Sequence, residues 1–141
     1  MTDLEIAKEN LTGYTICVCK DGKCLYSDKR GIAPMMGFIL SGTDLNGYSA
    51  ADVVVGKAAA LLFIKSGVNA VFAKTLSESA KAVLEKYRIP YEYETLTERI
   101  INREGTDMCP MEKTVLNTDD PEEAFSLLRE KLDILKARHY R

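Results

Sequence analysis

Residues 49 to 66, SAADVVVGKAAALLFIKS, are apolar almost all round, so whatever they form must lie inside the molecule. Read as a helix, the segment begins with Ser49 as N-cap and Asp52 three residues later, a variant of the capping box, and stops at Gly67. At about 100° per residue, Asp52, Gly56, Ala59 and Phe63 share one face, whereas Lys57 lies about 140° from Asp52, with Ala50, Leu61 and Ile64. The two charges therefore do not pair along such a helix. Gly56 costs about 1 kcal/mol against alanine in a helix interior and so marks close approach by another backbone or a ligand. Lys57 either snorkels past the edge of the buried surface or holds an anionic group in a pocket. The Gly-Lys pair does not extend to a phosphate loop, which needs Gly at 51 and Ser or Thr at 58, where this chain has Ala at both.

The flanking sequence supplies the elements this segment would pack against. Residues 3 to 11 have Leu4, Ala7, Lys8 and Leu11 at helical spacing before Gly13. The period then changes to two: YTICVC and CLYSD, joined through Asp21-Gly22, predict a hairpin with a two-residue turn. Residues 29 to 49 are glycine-rich, with one or two helical turns expected in PMMGFILS up to Gly42. A link of this length is either a lid or ligand-lining loop or an irregular surface crossing. NAVFAKT reads as a buried strand, SESAKAVLEKY as a helix capped by Ser77, and YEYET, after Pro90, as another strand. A helical turn is expected within 97 to 103, and CPMEKTV predicts a short helix. A longer one follows, with Asp120 as N-cap, Pro121 at the first position and Glu122 and Glu123 in the first turn. This order predicts an α/β fold, a mixed sheet covered by helices.

A chain of 141 residues, 46% hydrophobic and 28% charged, matches one domain, residues 1–141. With 19 basic and 21 acidic residues in no long blocks, it has no footprint for a nucleic acid polymer, although a single nucleotide needs only a local anion site. The first twenty residues make neither a signal peptide nor a membrane span, so no membrane partner and a cytoplasmic location are expected. Thiols rather than disulfides are the expectation for four cysteines in a reducing compartment.

Three of those cysteines fall on the hairpin. With Asp21-Gly22 as the turn, Cys19 faces Cys24 and Cys17 lies two residues along the same side, so three sulfurs share one face. Zinc would need a fourth ligand, and the C-x-x-C spacing is absent, so buried thiols serving as small hydrophobes are expected and no metal is assigned. Cys109 differs. It precedes Pro110, which suits a first helical position, placing its sulfur at a helix N-terminus where the dipole favours thiolate. Glu112 follows in capping-box register. Cys109 is then either a weak cap or a nucleophile, without a histidine nearby in sequence, the single His139 standing near the end. Asn102 and Arg103, on a glycine-containing loop just upstream, are either phosphate or carboxylate binders or surface polars.

DVVVGKAAALL, NREGTDMCPME and GIAPMMGFIL together resemble an uncharacterised prokaryotic family, a domain of unknown function with a cytidine-deaminase-like fold, over roughly residues 3 to 135. The resemblance implies a three-layer α/β/α sandwich. Zinc deaminases carry H-x-E and P-C-x-x-C at two successive helix starts. Here the corresponding starts are read as SAAD (49 to 52) and LSESA (76 to 80), which hold no such ligand set. The expectation is a protein without a cofactor that binds a nucleotide or nucleoside-diphosphate sugar of the ADP-ribose type and is not a zinc-dependent deaminase. Asp52 and Cys109 are the catalytic candidates. Ser49, Gly56, Lys57, Asn102, Arg103 and Glu112 are the ligand-binding candidates. A non-catalytic regulatory or interaction module is the second expectation, and a homo-oligomer stays open.

Overall fold

The computed structural model describes residues 1–102 and 104–139. The chain opens with α1 (Asp3–Glu9), capped by Thr2 and Glu5 in a capping box, and continues into the hairpin β1 (Ile16–Lys20) and β2 (Lys23–Ser27). Asp21 and Gly22 both have positive φ, 50° and 81°, the backbone of a tight two-residue turn. Then come α2 (Ala33–Leu40), β3 (Ser49–Val55), α3 (Lys57–Lys65), β4 (Ala70–Ser77), α4 (Glu78–Lys86), β5 (Tyr91–Thr97), α5 (Pro110–Thr114) and α6 (Pro121–His139). The five strands form one sheet in the order β2-β1-β3-β4-β5. It is mixed: β1 pairs antiparallel with β2 and β3, whereas β3, β4 and β5 run parallel.

The α/β class and mixed sheet agree with the sequence, but the segment 49 to 66 is not one helix. Residues 49 to 55 are the central strand β3, Gly56 ends it, and the helix begins only at Lys57. A strand buried on both faces loses its alternation and reads as a continuous apolar run, which periodicity cannot tell from a buried helix. Ser49 and Asp52 therefore form no capping box. Residues 97 to 103 hold no helical turn among those described; Ile101 instead bridges Met108. Within the glycine-rich link, α2 seats Met35 and Met36 in the main core.

Two apolar clusters hold the sheet. The larger joins Ile16, Val18, Ala50, Val71 and Ala73 to α2, α3, α4 and α6 through such residues as Met35, Leu61, Phe63, Leu84 and Leu128. The smaller seats Ala7 and Leu11 on Cys17, Cys19, Ala51 and Phe72. Cys19 and Cys24 are bonded as a disulfide, contrary to the expectation of thiols, because the hairpin register sets them directly opposite each other. Cys17 and Cys109 remain free.

The parallel strands end together. Val55 lies beside Leu76 and Leu76 beside Leu96, with Ser77 beside Thr97, so the first turns of α3 and α4 and the chain leaving β5 emerge at one rim. In open α/β sheets that rim is the usual place for a ligand.

Candidate functional site

A cleft of about 260 Å³ lies at this rim, lined by Lys57 from the start of α3, Ser79 from α4, Glu98, Arg99 and Ile100 just past β5, and Met108, Glu112 and Leu116 around α5. A wider groove of about 530 Å³ runs along α6 between Phe125 and Ala137, but one helix alone builds it and no polar groups from separate elements converge there.

Glu112 sets the floor of the cleft. It is buried, and its carboxylate accepts from the Lys57 amide at 2.7 Å and from the Ala58 amide at 2.8 Å. A side chain 55 residues away in sequence thus caps α3, taking the amides that a bound anion would otherwise use. Burial pushes the Glu112 carboxyl up, opposed by the Ala58 and Lys57 amides and by the Lys57 charge. Gly56 explains itself here. Its φ of −98° and ψ of −176° are open to any residue, but an added Cβ would lie 2.3 Å from Glu112 Oε1. The close approach anticipated at Gly56 is real, and the approaching group is the carboxylate.

Lys57, the cation inside an apolar run, is tied down. Its ammonium, on a side chain 11% exposed, pairs with Asp119 at 2.9 Å and donates to the Leu116 carbonyl at 3.1 Å. Asp119 also takes Lys86 at 3.2 Å, and the two lysines, Lys57 foremost, hold its carboxyl below the usual range. At the neighbouring helix, Ser77 accepts from the Ala80 amide, and its hydroxyl lies 3.2 Å from that of Ser79. Arg99 is exposed and makes no ion pair among the described residues. Its charge, after that of Lys113, helps hold the Asp107 carboxyl low, and its guanidinium is exposed to a planar anion.

Residues 6–132 match the family described as a domain of unknown function (DUF1893). The chain belongs to the DUF1893 family. A crystal structure of a DUF1893 family protein from Thermotoga maritima is similar, with a TM-score of 0.79 at 27% identity over 91% of this chain and 86% of that one. Among curated proteins none matches.

Of the residues singled out from the sequence, this DUF1893 fold brings Gly56, Lys57 and Glu112 together at the cleft. Ser49 sits at the other end of β3, about 20 Å away at the rise of a strand, donating to Asn69 Oδ1 at 3.3 Å. Asp52 lies in the middle of β3, buried between Ile16 and Ala73 and away from the cleft lining. Asn102 folds its own loop, its carbonyl oxygen accepting from the Thr106 amide at 3.1 Å and its amide donating to Thr106 Oγ1 at 3.2 Å. Arg103 lies outside the described residues. Cys109 is the N-cap of α5 but makes no capping bond with its side chain. Its amide donates to the Ile100 carbonyl at 3.0 Å, so Glu112 does not reach back to it. Ser79, Glu98 and Arg99 were missed. The signal was available in principle: they directly follow the ends of parallel strands, but that rule applies only once β3 is recognised as a strand.

Proposed function

We propose that the cleft binds an anionic small molecule, a nucleotide or nucleoside-diphosphate sugar of the ADP-ribose type. The observation that carries this reading is the convergence of Arg99, Ser79 and Lys57 at the ends of three parallel strands. Arg99 would take the phosphates bidentately, with Ser79 donating beside it; Glu98 would accept from a ribose hydroxyl; Ile100, Met108 and Leu116 would face the base. Because Glu112 occupies the first amides of α3, the phosphates belong on the α4 and β5 side of the cleft. Asp52 and Cys109 have no part in this reading.

On a cytidine-deaminase-like reading of the fold, the two helix starts that matter are those of α2 and α3, since SAAD proved to be strand. They read Ile32-Ala33-Pro34-Met35 and Gly56-Lys57-Ala58-Ala59, and α4 begins Ser77-Glu78-Ser79-Ala80. None offers a histidine or cysteine, so these residues do not fit the zinc site of a deaminase and no metal-activated water enters the proposal.

A non-catalytic interaction module is the second reading, favoured by the internal neutralisation of the cleft: Glu112 caps α3 and Asp119 pairs with Lys57. Thermal shift with ADP-ribose, ADP and AMP separates the two. A ligand at 100 times its Kd adds about 2.7 kcal/mol of stability, a rise of several degrees in Tm. The nucleotide reading expects that rise in wild type and its loss in Arg99→Ala. No rise with any of the three, or an equal rise in Arg99→Ala, removes it.

A further inference from the structure

The sulfurs of Cys17, Cys19 and Cys24 lie within 4.8 Å of one another on the α1 side of the hairpin, at the opposite flank of the sheet from β5. Cys17 Sγ is 3.6 Å from Cys19 Sγ. Hairpin alternation puts all three on one face: Cys17 and Cys19 are two residues apart on β1, and Cys24 is the ladder partner of Cys19 on β2. Cys17 and Cys19 are fully buried under Ala7 and Leu11, while Cys24 is half-buried at the sheet edge and leaves a way in. We infer that the reduced hairpin is a three-thiolate site for one soft monovalent cation, Cu(I).

Several features select this ion. Soft thiolates favour Cu(I), zinc and iron–sulfur clusters over harder cations. A structural zinc needs four ligands, and among the described residues no fourth Cys, His, Asp or Glu joins the group. Cu(I) is satisfied by three. With metal–sulfur bonds of about 2.3 Å, as zinc thiolates have, a trigonal site sets its sulfurs about 4 Å apart; Cys17 and Cys19 already stand near that spacing, and Cys24, on the edge strand, must swing away from Cys19 as the disulfide opens.

The chemistry balances in two steps. A dithiol reductant delivers two electrons and two protons to the Cys19–Cys24 bond, leaving as its own disulfide, and three thiols remain. Cu(I) then replaces the three thiol protons, which pass to solvent.

Anaerobic titration of the full chain with Cu(I), against the chromophoric chelator bicinchoninate, tests this. Reduced wild type is expected to hold one equivalent with thiolate-to-copper absorption in the near ultraviolet, and the oxidised protein none. Cys17→Ser and Cys24→Ser should each weaken binding by more than about 100-fold, beyond the loss from removing a group outside the ligand shell, and Cys109→Ser should leave it unchanged. Cys24 is half-buried on an edge strand, so Cys24→Ser decides the matter if circular dichroism shows Cys17→Ser unfolded. Copper left entirely with the chelator by reduced wild type, or one equivalent retained by Cys24→Ser, overturns the site.

Discussion

Asp52→Asn is expected to raise Tm at pH 8 by about 10 °C, the equivalent of about 3 kcal/mol. Asp52 is buried on the central strand with no cation or hydrogen-bonding side chain beside it among the described residues. Burial pushes its carboxyl from 3.8 up to about 8, and the Val54 and Val53 amides offset this only in part. In the folded state the group therefore keeps its proton at neutral pH, while in the unfolded chain it is ionised. For a pKa raised on folding, the stabilisation is complete below the unfolded value and is lost as pH rises through the folded one. Wild-type stability should fall by about 1.4 kcal/mol per pH unit between about pH 4 and 8 through this group. Asparagine removes the dependence but keeps an amide to be buried, so the gain is smaller than the full linkage term. Thermal melts at pH 5, 6.5 and 8 check both parts. Equal melting temperatures at pH 8, with unchanged pH slopes, would mean that Asp52 is ionised in the fold.

Glu112→Ala should cost about 3 kcal/mol, because it strips two charge-assisted hydrogen bonds from buried or half-buried amides that have no other acceptor in the helix. Glu112→Gln keeps one acceptor oxygen and should lose about half as much. Gly56 provides the sharper measurement. Gly56→Ala drives a Cβ into the Glu112 carboxylate and should destabilise wild type, yet cost much less in a Glu112→Ala background, where that contact is gone. Denaturant midpoints of the four proteins give the coupling directly. Additive effects would show that the glycine is not there for the carboxylate.

These residues also show how far sequence reasoning reached. Asp21-Gly22, Ser77 and Asp120-Pro121 act on atoms within three or four positions of themselves, and each turn or cap formed where its chemistry put it. The facing of Cys19 and Cys24 followed from the turn, but the bond between them did not. Lys57 stood out as unusual, for a reason that proved structural first: it tethers α3 to the chain before α6. Glu112 was read as being in capping-box register with Cys109, and it caps α3 instead. Calling 49 to 55 helical hid the end of β3 and, with it, the reason to look at Ser79, Glu98 and Arg99.

The amino-acid sequence by itself determined the punctuation of this protein, its hairpin turn, its caps and the α/β alternation, because those depend on neighbours along the chain. Only the tertiary structure decided that VVVG is a strand running into a helix, that Asp52 is walled in between Ile16 and Ala73, and that a carboxylate 55 residues away completes the first turn of α3. The physical reason is shared by all three: a segment buried on every side has no solvent face to set a period, so its conformation and the state of its charges are chosen by what packs against it.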